Sequence, residues 1–195
     1  MARSVRITSL TIDVAGAFRR IKPEKQRAQL SLRKPGELED AAEIAGLGRA
    51  AMLLDTNVYI ASASGRLPPA ASTLVDRGLH FHCSVCVSEL MTGVANADPA
   101  HKSWNRLARH YRDLLAAIPA SRLLSPDDDV WAEAGLVAGT MARTQNFQRH
   151  QRKECLNDAL IYLTAAKAGL PVLTSNRAEF DLIQQLTGRG RFIHY

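Results

Sequence analysis

The sequence predicts an α/β fold: a three-layer α/β/α sandwich with a central parallel sheet, preceded by an N-terminal extension. Short apolar runs at 51–54, 79–84, 122–125 and 171–174 alternate with longer stretches of helical character. The clearest run, Ala51 to Leu54, is continuously apolar rather than alternating, as expected of a strand buried on both faces. The stretches between runs are long enough for right-handed crossover helices, which makes neighbouring strands parallel and covers both faces of the sheet.

Residues 1–35 lack sustained helical periodicity. Within them, 5–12 alternates partly, like an edge strand, and 19–34 is basic and punctuated by Pro23 and Pro35. Residues 37–45 read as a short helix stopped by Gly46. The extension is therefore assigned to 1–48 and the main domain to 49–195. After the first core strand, Thr56 to Ala63 reads as a helix or loop. Pro68 and Pro69 open a short helix over 70–77 that Gly78 ends. The second strand, 79–84, leads into a helix over 86–96. Residues 101–117 are helical, with Trp104, Leu107, Tyr111, Leu114, Leu115 and Ile118 on one stripe that suits a core or a dimer surface.

The third strand covers 122–125. Ser125 then reads as an N-cap, Pro126 as the first helical position, and Asp127, Asp128 and Asp129 as acids on the positive end of the helix dipole. That helix runs to about Arg143 and is expected to bury Val130, Trp131, Ala134, Val137 and Met141. A basic link, Gln148 to Lys153, precedes a helix over 158–168 that Gly169 ends. Strand 171–174, a helix over 178–186 and a terminal strand at 191–195 complete the chain.

Composition narrows the function. An apolar fraction of 46% supports a packed core. No apolar run reaches the length of a membrane span, and Asp13 breaks the only stretch resembling a secretory signal. Three cysteines are too few for a disulfide framework and fit a reducing, cytoplasmic setting. Cys83 and Cys86 have the spacing of a metal half-site but stand without a second pair, in an apolar stretch, and read as buried structural thiols. The six histidines show no zinc spacing, and no Ser-His-Asp or Cys-His pattern is visible. The net charge of +6 favours an anionic partner. Most of the excess lies in residues 1–50, which hold ten Lys and Arg against six Asp and Glu.

The chemistry-bearing residues sit where strands end and helices begin. Asp55 follows the first core strand, Glu89 lies near the start of the helix after the second, and Asp158, behind Asn157, opens a later helix. Asn176 follows the strand at 171–174. In a parallel sheet these positions meet at the carboxyl rim, where ligands bind. Carboxylates gathered there cannot all stay ionised without a counter-charge, and a divalent metal is the natural one. Metal with carboxylates points to phosphodiester hydrolysis. Each residue also has a plain structural reading as a helix cap, a dipole partner or a turn residue.

Four segments in this order, Leu53-Leu54-Asp55-Thr56-Asn57, Val87-Ser88-Glu89-Leu90, Asn157-Asp158-Ala159-Leu160-Ile161 and Val172-Leu173-Thr174-Ser175-Asn176 followed by Glu179 and Phe180, resemble the PIN domain, and within it the VapC-type toxins. The resemblance spans residues 51–195. It implies a Mg²⁺- or Mn²⁺-dependent endoribonuclease acting on RNA as the toxin of a toxin–antitoxin pair, with a cognate antitoxin protein and a homodimer as partners. On the matching positions Asp55, Glu89 and Asp158 bind metal. Asn176 stands where many members carry a fourth acid, for which Glu179 or Asp181 is a substitute. Thr56, Asn57, Thr174 and Ser175 would support water, metal or phosphate, and Arg149, Arg152 and Lys153 would hold the RNA backbone. The extension departs from minimal members, and three uses are open to it: RNA binding, covering the core, or contacting the antitoxin.

Other classes fit less well. A haloacid-dehalogenase-type phosphatase needs a second Asp at position 57, which is Asn. A phosphoacceptor regulator needs an acidic pair before Asp55 and a late Lys, and neither is present. A non-catalytic PIN-like binding module draws support from Asn176 and the extension.

Overall fold

The computed structural model describes residues 12–195. The strand anticipated at 5–12 lies almost wholly outside them. The elements are α1 (Val14–Ile21), β1 (Glu39–Asp40), α2 (Ala41–Ile44), β2 (Ala51–Leu54), α3 (Thr56–Ala63), α4 (Pro69–Arg77), β3 (Leu79–Cys83), α5 (Ser84–Asn96), α6 (Trp104–Ala116), β4 (Leu123–Leu124), α7 (Asp128–Thr144), α8 (Arg149–Lys167), β5 (Pro171–Thr174), α9 (Arg177–Thr187) and β6 (Arg191–His194).

Every strand pairing is parallel, and the six strands run in the order β1-β6-β5-β2-β3-β4. The chain starts the main sheet in the middle, at β2, builds outward through β3 and β4, then returns to β5 on the other side of β2. This reversal sets α3–α6 on one face and α7–α9 on the other, given right-handed crossovers. It also opens a crevice between the carboxyl ends of β2 and β5. Met52, Leu53, Val172, Leu173, Phe192 and Ile193 fill the sheet's interior, all with at most 2% of their surface exposed. Across α8 and α9, Tyr162 meets Phe180 edge to face at 6.0 Å between ring centres.

Several boundaries differ from the sequence expectation. α8 begins at Arg149, so the basic run 149–153 forms its first turns and is not a link. Arg, Gln, Lys and Glu are good helix formers, and the Gln151 side chain accepts a hydrogen bond from the Gln148 backbone N–H, at 2.7 Å, to close the new N-terminus. Asp158 is consequently mid-helix and not a first residue. Likewise α5 starts at Ser84, which places Glu89 in its second turn. The N-cap of α7 is Asp127, whose carboxylate accepts from Val130 N at 3.1 Å, in place of Ser125. Trp131 is half exposed, because it lies on the α7 face turned from the core. The α6 stripe contributes to the core: Tyr111 is buried, with Leu107, Leu114 and Leu115 partly buried against the same cluster.

The segment before β2 is built into the fold. Asp13 caps α1 by accepting from Gly16 N at 2.7 Å. A Cβ on Gly16 would fall 1.7 Å from that carboxylate, so the cap requires glycine. Eight residues were too few to show periodicity in the sequence. α1 packs on α7, and Ala17, Ile21, Leu38 and Ala41 are buried in the common core. β1 adds an outer strand beside β6. Two buried acids anchor the segment. Glu133 of α7 accepts from Arg20 Nε at 2.9 Å and Arg189 Nη2 at 2.8 Å. Asp181 of α9 accepts from Arg33 Nε at 2.6 Å and from the Arg33 backbone N–H at 2.8 Å.

Removing the Arg33 side chain would leave the Asp181 carboxylate, which is 1% exposed, without its counter-charge and with the backbone N–H of residue 33 as its remaining donor. Because the Arg33 side chain is about a third exposed, the expected cost of Arg33→Ala is about 2 kcal/mol, below the full penalty of breaking a buried pair. That is a fall of roughly 4–8 °C in melting temperature for a chain of this size. Adding Asp181→Asn should recover most of it, and an unchanged melting curve for Arg33→Ala would show that the anchor contributes nothing.

Candidate functional site

The crevice between β2 and β5 is lined by residues from four separate segments. Asp55 closes β2: its backbone N–H donates to Leu173 O of β5 at 3.1 Å, fixing the two strand ends together. The side chain is 3% exposed. Its Oδ1 accepts from Thr56 N at 2.7 Å, which caps α3. Its Oδ2 accepts from Asn57 Nδ2 and from Thr174 Oγ1, each at 2.6 Å. Every donor is neutral.

Glu89 reaches the same place from α5. One carboxylate oxygen accepts from Thr56 Oγ1, and the other from Asn157 Nδ2 of α8 at 2.7 Å. Asp158 follows Asn157, and its Oδ2 accepts from Asn176 Nδ2 at 2.9 Å. Asn176 N in turn donates to Thr174 Oγ1 at 2.9 Å, which leads back to Asp55. The three acids and Asn176 thus belong to one ring that crosses α3, α5, α8 and the β5–α9 turn, made of hydrogen bonds and closed by the covalent link between Asn157 and Asp158.

Asn57 braces the rim from inside. Besides its bonds to Asp55 and Thr174, its Oδ1 accepts from Ser175 N and from Tyr195 Oη, both at 3.2 Å. Thr174 is fully buried, whereas Ser175 is exposed. Asn157 and Tyr195 were not singled out by sequence as site residues. Asn157 read as a helix cap, and Tyr195 as the end of a strand. Arg152 and Lys153 are exposed on the first turns of α8; the side chain of Arg149 lies outside the described part of the structure.

The electrostatics follow from burial. Desolvation pushes the Asp55 carboxyl up to about 6, with the Glu89 charge adding to it and the bonds from Thr174, Thr56 and Asn57 opposing it. Asp158 is also raised, first by burial and then by the charges of Asp55, Glu89, Glu179 and Glu154. Among the described residues, no Lys or Arg stands among the leading causes of either shift. Among the described residues, no three His, Cys, Asp or Glu side chains are already gathered closely enough to hold a metal ion. The donors nevertheless fit a hard divalent cation: they are carboxyl oxygens that, among the described residues, have no ion-pair partner, and a cation would favour their ionised forms. Asp55, Glu89 and Asp158 would hold it after turning from their neutral partners.

A separate cleft of about 580 Å³ lies between α3, β3 and α6, with Val58, Leu114 and Ile118 among its apolar walls and His82, His110 and Arg122 among its polar ones. None of the three acids lines it. Tyr59 and His82 share a hydrogen bond of 2.5 Å at its edge, and burial lowers His82 to about 4. Cys83, Cys86 and Cys155 are buried free thiols.

Raised carboxyl groups make stability depend on pH. In the folded protein Asp55 holds its proton up to about pH 6, while in the unfolded chain it releases it near 3.8. The stabilisation is therefore fully present below that lower value and is lost as pH rises through 6. In EDTA the melting temperature should fall between pH 5 and 7.5, and Asp55→Asn should flatten that fall. A wild-type curve that is flat or rises over this interval would contradict the assignment.

The PIN domain family model matches residues 52–185, which is most of the chain. Among solved structures, FitAcB from Neisseria gonorrhoeae is 24% identical, with a TM-score of 0.52, over 74% of this chain and 96% of that one. DNA-bound VapBC from Salmonella typhimurium is 20% identical, with a TM-score of 0.51, over 74% and 97%. VapBC-5 from Mycobacterium tuberculosis, of the VapBC family of toxin–antitoxin systems, is 26% identical, with a TM-score of 0.48, over 75% and 99%. No curated protein matches the chain. The first two structures share its fold, and with the family model covering β2 through most of α9, the chain belongs to the PIN domain family.

Proposed function

We propose that this protein is a Mg²⁺- or Mn²⁺-dependent endoribonuclease, the toxin of a toxin–antitoxin pair. The observation that carries the reading is the ring itself. Asp55, Glu89 and Asp158 come from three distant parts of the sequence and converge at the switch point of the sheet, held by neutral donors and, among the described residues, without an ion pair to a cationic side chain. A structural ion cluster would include a Lys or Arg, as the Asp181–Arg33 and Glu133–Arg20 pairs do. The toxin assignment rests on the motif resemblance to VapC-type members.

When bound, the cation supplies positive charge to the attacked phosphate and lowers the pKa of a water. The chain's residues do the placing. Asn57 and Thr174 hold Asp55 Oδ2 from two sides, Thr56 and Asn157 hold the two oxygens of Glu89, and Asn176 holds Asp158. Burial of Asp55 keeps bulk water from screening the charges that meet there. Arg152 and Lys153 stand on the first turns of α8, where cations oppose the helix dipole. A local cost of this kind suits a surface that meets phosphates, because the same helix end offers free N–H groups. The apolar cleft beside α3 and α6 supports a protein partner, the antitoxin, and a homodimer is part of the same reading.

A non-catalytic binding module is the second reading, favoured by Asn176 and by carboxylates that all point to neutral partners. Incubation of purified protein with a structured RNA separates the two. Cleavage should require Mg²⁺ or Mn²⁺, stop in EDTA, and fall by roughly a hundredfold or more in Asp55→Asn and Asp158→Asn, the size of loss seen when a principal electrostatic group is removed. RNA binding without metal-dependent cleavage would favour the module. Replacing Arg152 and Lys153 by Ala should weaken RNA binding and reduce its salt dependence by about one unit of log–log slope per lost phosphate contact; an unchanged slope would place the RNA elsewhere.

A further inference from the structure

α1 ends on a residue poorly suited to its backbone. The C-cap is Lys22, which is left-handed, with φ 49° and ψ 56°. That conformation favours glycine and strains a residue with a Cβ. Among the described residues the only other non-glycine with a positive φ is Asn146, a residue type that tolerates it. Strain of this kind persists where function uses it. The turn that follows is closed and fastened. Lys25 N donates to Lys22 O at 2.9 Å. Arg143 Nη2, from the last turn of α7, donates to Pro23 O at 2.9 Å. This tether brings the turn to the end of the molecule where α8 begins. Arg143 and Arg152 line one groove of about 380 Å³, over a floor of Gly135, Ala138, Gly139 and Ala142. Arg152 precedes Asp158 on α8 by six residues, about 9 Å along the axis. Lys22, Lys25, Arg143, Arg152 and Lys153 are all exposed, and among the described residues none of them is in an ion pair. Against these five cations stand two exposed acids of the same segments, Glu24 and Glu154.

We propose that the Lys22–Lys25 turn of the N-terminal segment is a phosphate-binding element, holding RNA backbone that runs across Arg143 and Arg152 toward Asp158. The inference rests on the ribonuclease reading of the site. A row of separate cations without ion-pair partners matches the regular charge of a nucleic-acid strand, and contacts of this kind position the strand without reading its bases. The small-residue floor of the groove lets the strand approach both guanidinium groups. An ammonium on a flexible stem, as at Lys22 and Lys25, is suited to a point contact with a phosphate. The segment then has two uses: its apolar residues cover the core, and its turn adds charge on the α8 side of the crevice.

Binding of fluorescent poly(U) to the full-length protein in EDTA, followed by anisotropy over a KCl series, tests this without using activity. Lys22→Gly and Lys25→Ala should each lower the slope of log affinity against log salt by about 0.7, the value for one phosphate contact on a single strand. Lys22→Gly should also hold or raise the melting temperature, because glycine relieves the left-handed backbone. Damage to the fold cannot produce that pairing of weaker binding with undiminished stability. Arg106→Ala, an exposed cation of α6 on the other face of the sheet, should leave the slope unchanged. An unchanged slope in the Lys22→Gly, Lys25→Ala double variant would overturn the role of the turn, even where replacing Arg152 and Lys153 still lowers it. So would an equal loss in Arg106→Ala, which would mark an effect of net charge alone. A lower melting temperature for Lys22→Gly would assign the lysine to the fold and overturn its role in binding. Wild type that does not bind poly(U) would overturn the inference, and wild type that also cleaves no RNA with Mg²⁺ or Mn²⁺ would overturn the ribonuclease reading beneath it.

Discussion

The desolvated carboxylate of Asp55 is the constraint around which the rest of the molecule is arranged. It sits at the carboxyl end of the central strand, 3% exposed, where an ionised group is costly. Its two oxygens are satisfied by Thr56 N, Asn57 and Thr174, and those donors stay in place only if β2 and β5 are adjacent. The adjacency exists because the chain reverses its direction of growth after β4, so the first core strand is paired on both sides. Sheet topology and site chemistry are thus one requirement seen at two scales.

Around this centre the polar side chains form a closed set. Thr56 and Asn157 both bond Glu89, Asn176 links Asp158 to Thr174, and Tyr195 reaches back to Asn57. Neutral donors can hold carboxylates in position without neutralising them. The charge that remains is what a divalent cation would meet, and burial, with the neighbouring acids, is what raises Asp55 and Asp158. The ion pairs that do use arginine lie elsewhere, at Glu133 and Asp181, and tie the N-terminal segment to α7 and α9. Acids with a structural task received guanidinium partners, whereas acids of the crevice received amides and hydroxyls.

The N-terminal segment illustrates how little of a tertiary role is written locally. α1 is eight residues long and β1 only two. Neither is long enough to generate a periodic signal, and both exist because α7 and β6 give them surfaces to cover. Of the three uses the sequence left open for this segment, covering the core is the one in which Ala17, Ile21, Leu38 and Ala41 take part.

By itself the sequence determined the alternation of apolar runs with helical stretches, hence a parallel sheet covered on both faces. It also placed Asp55 and Asn176 at junctions of strand and helix, where the structure has them, whereas Glu89 and Asp158 lie inside their helices. The start of α8 was not legible: Asn157-Asp158 looks like a cap, and only the continuous run of helix formers before it, stabilised by Gln148 and Gln151, carries the helix further back. Tertiary structure decided which groups touch. Asn157 and Glu89 are 68 positions apart, and Thr174 and Asp55 are 119 apart. Bonds across such separations depend on strand order and helix placement, which local propensity does not encode. The same holds for Asp181, whose partner Arg33 lies 148 positions away and is placed by packing, not by any local pattern.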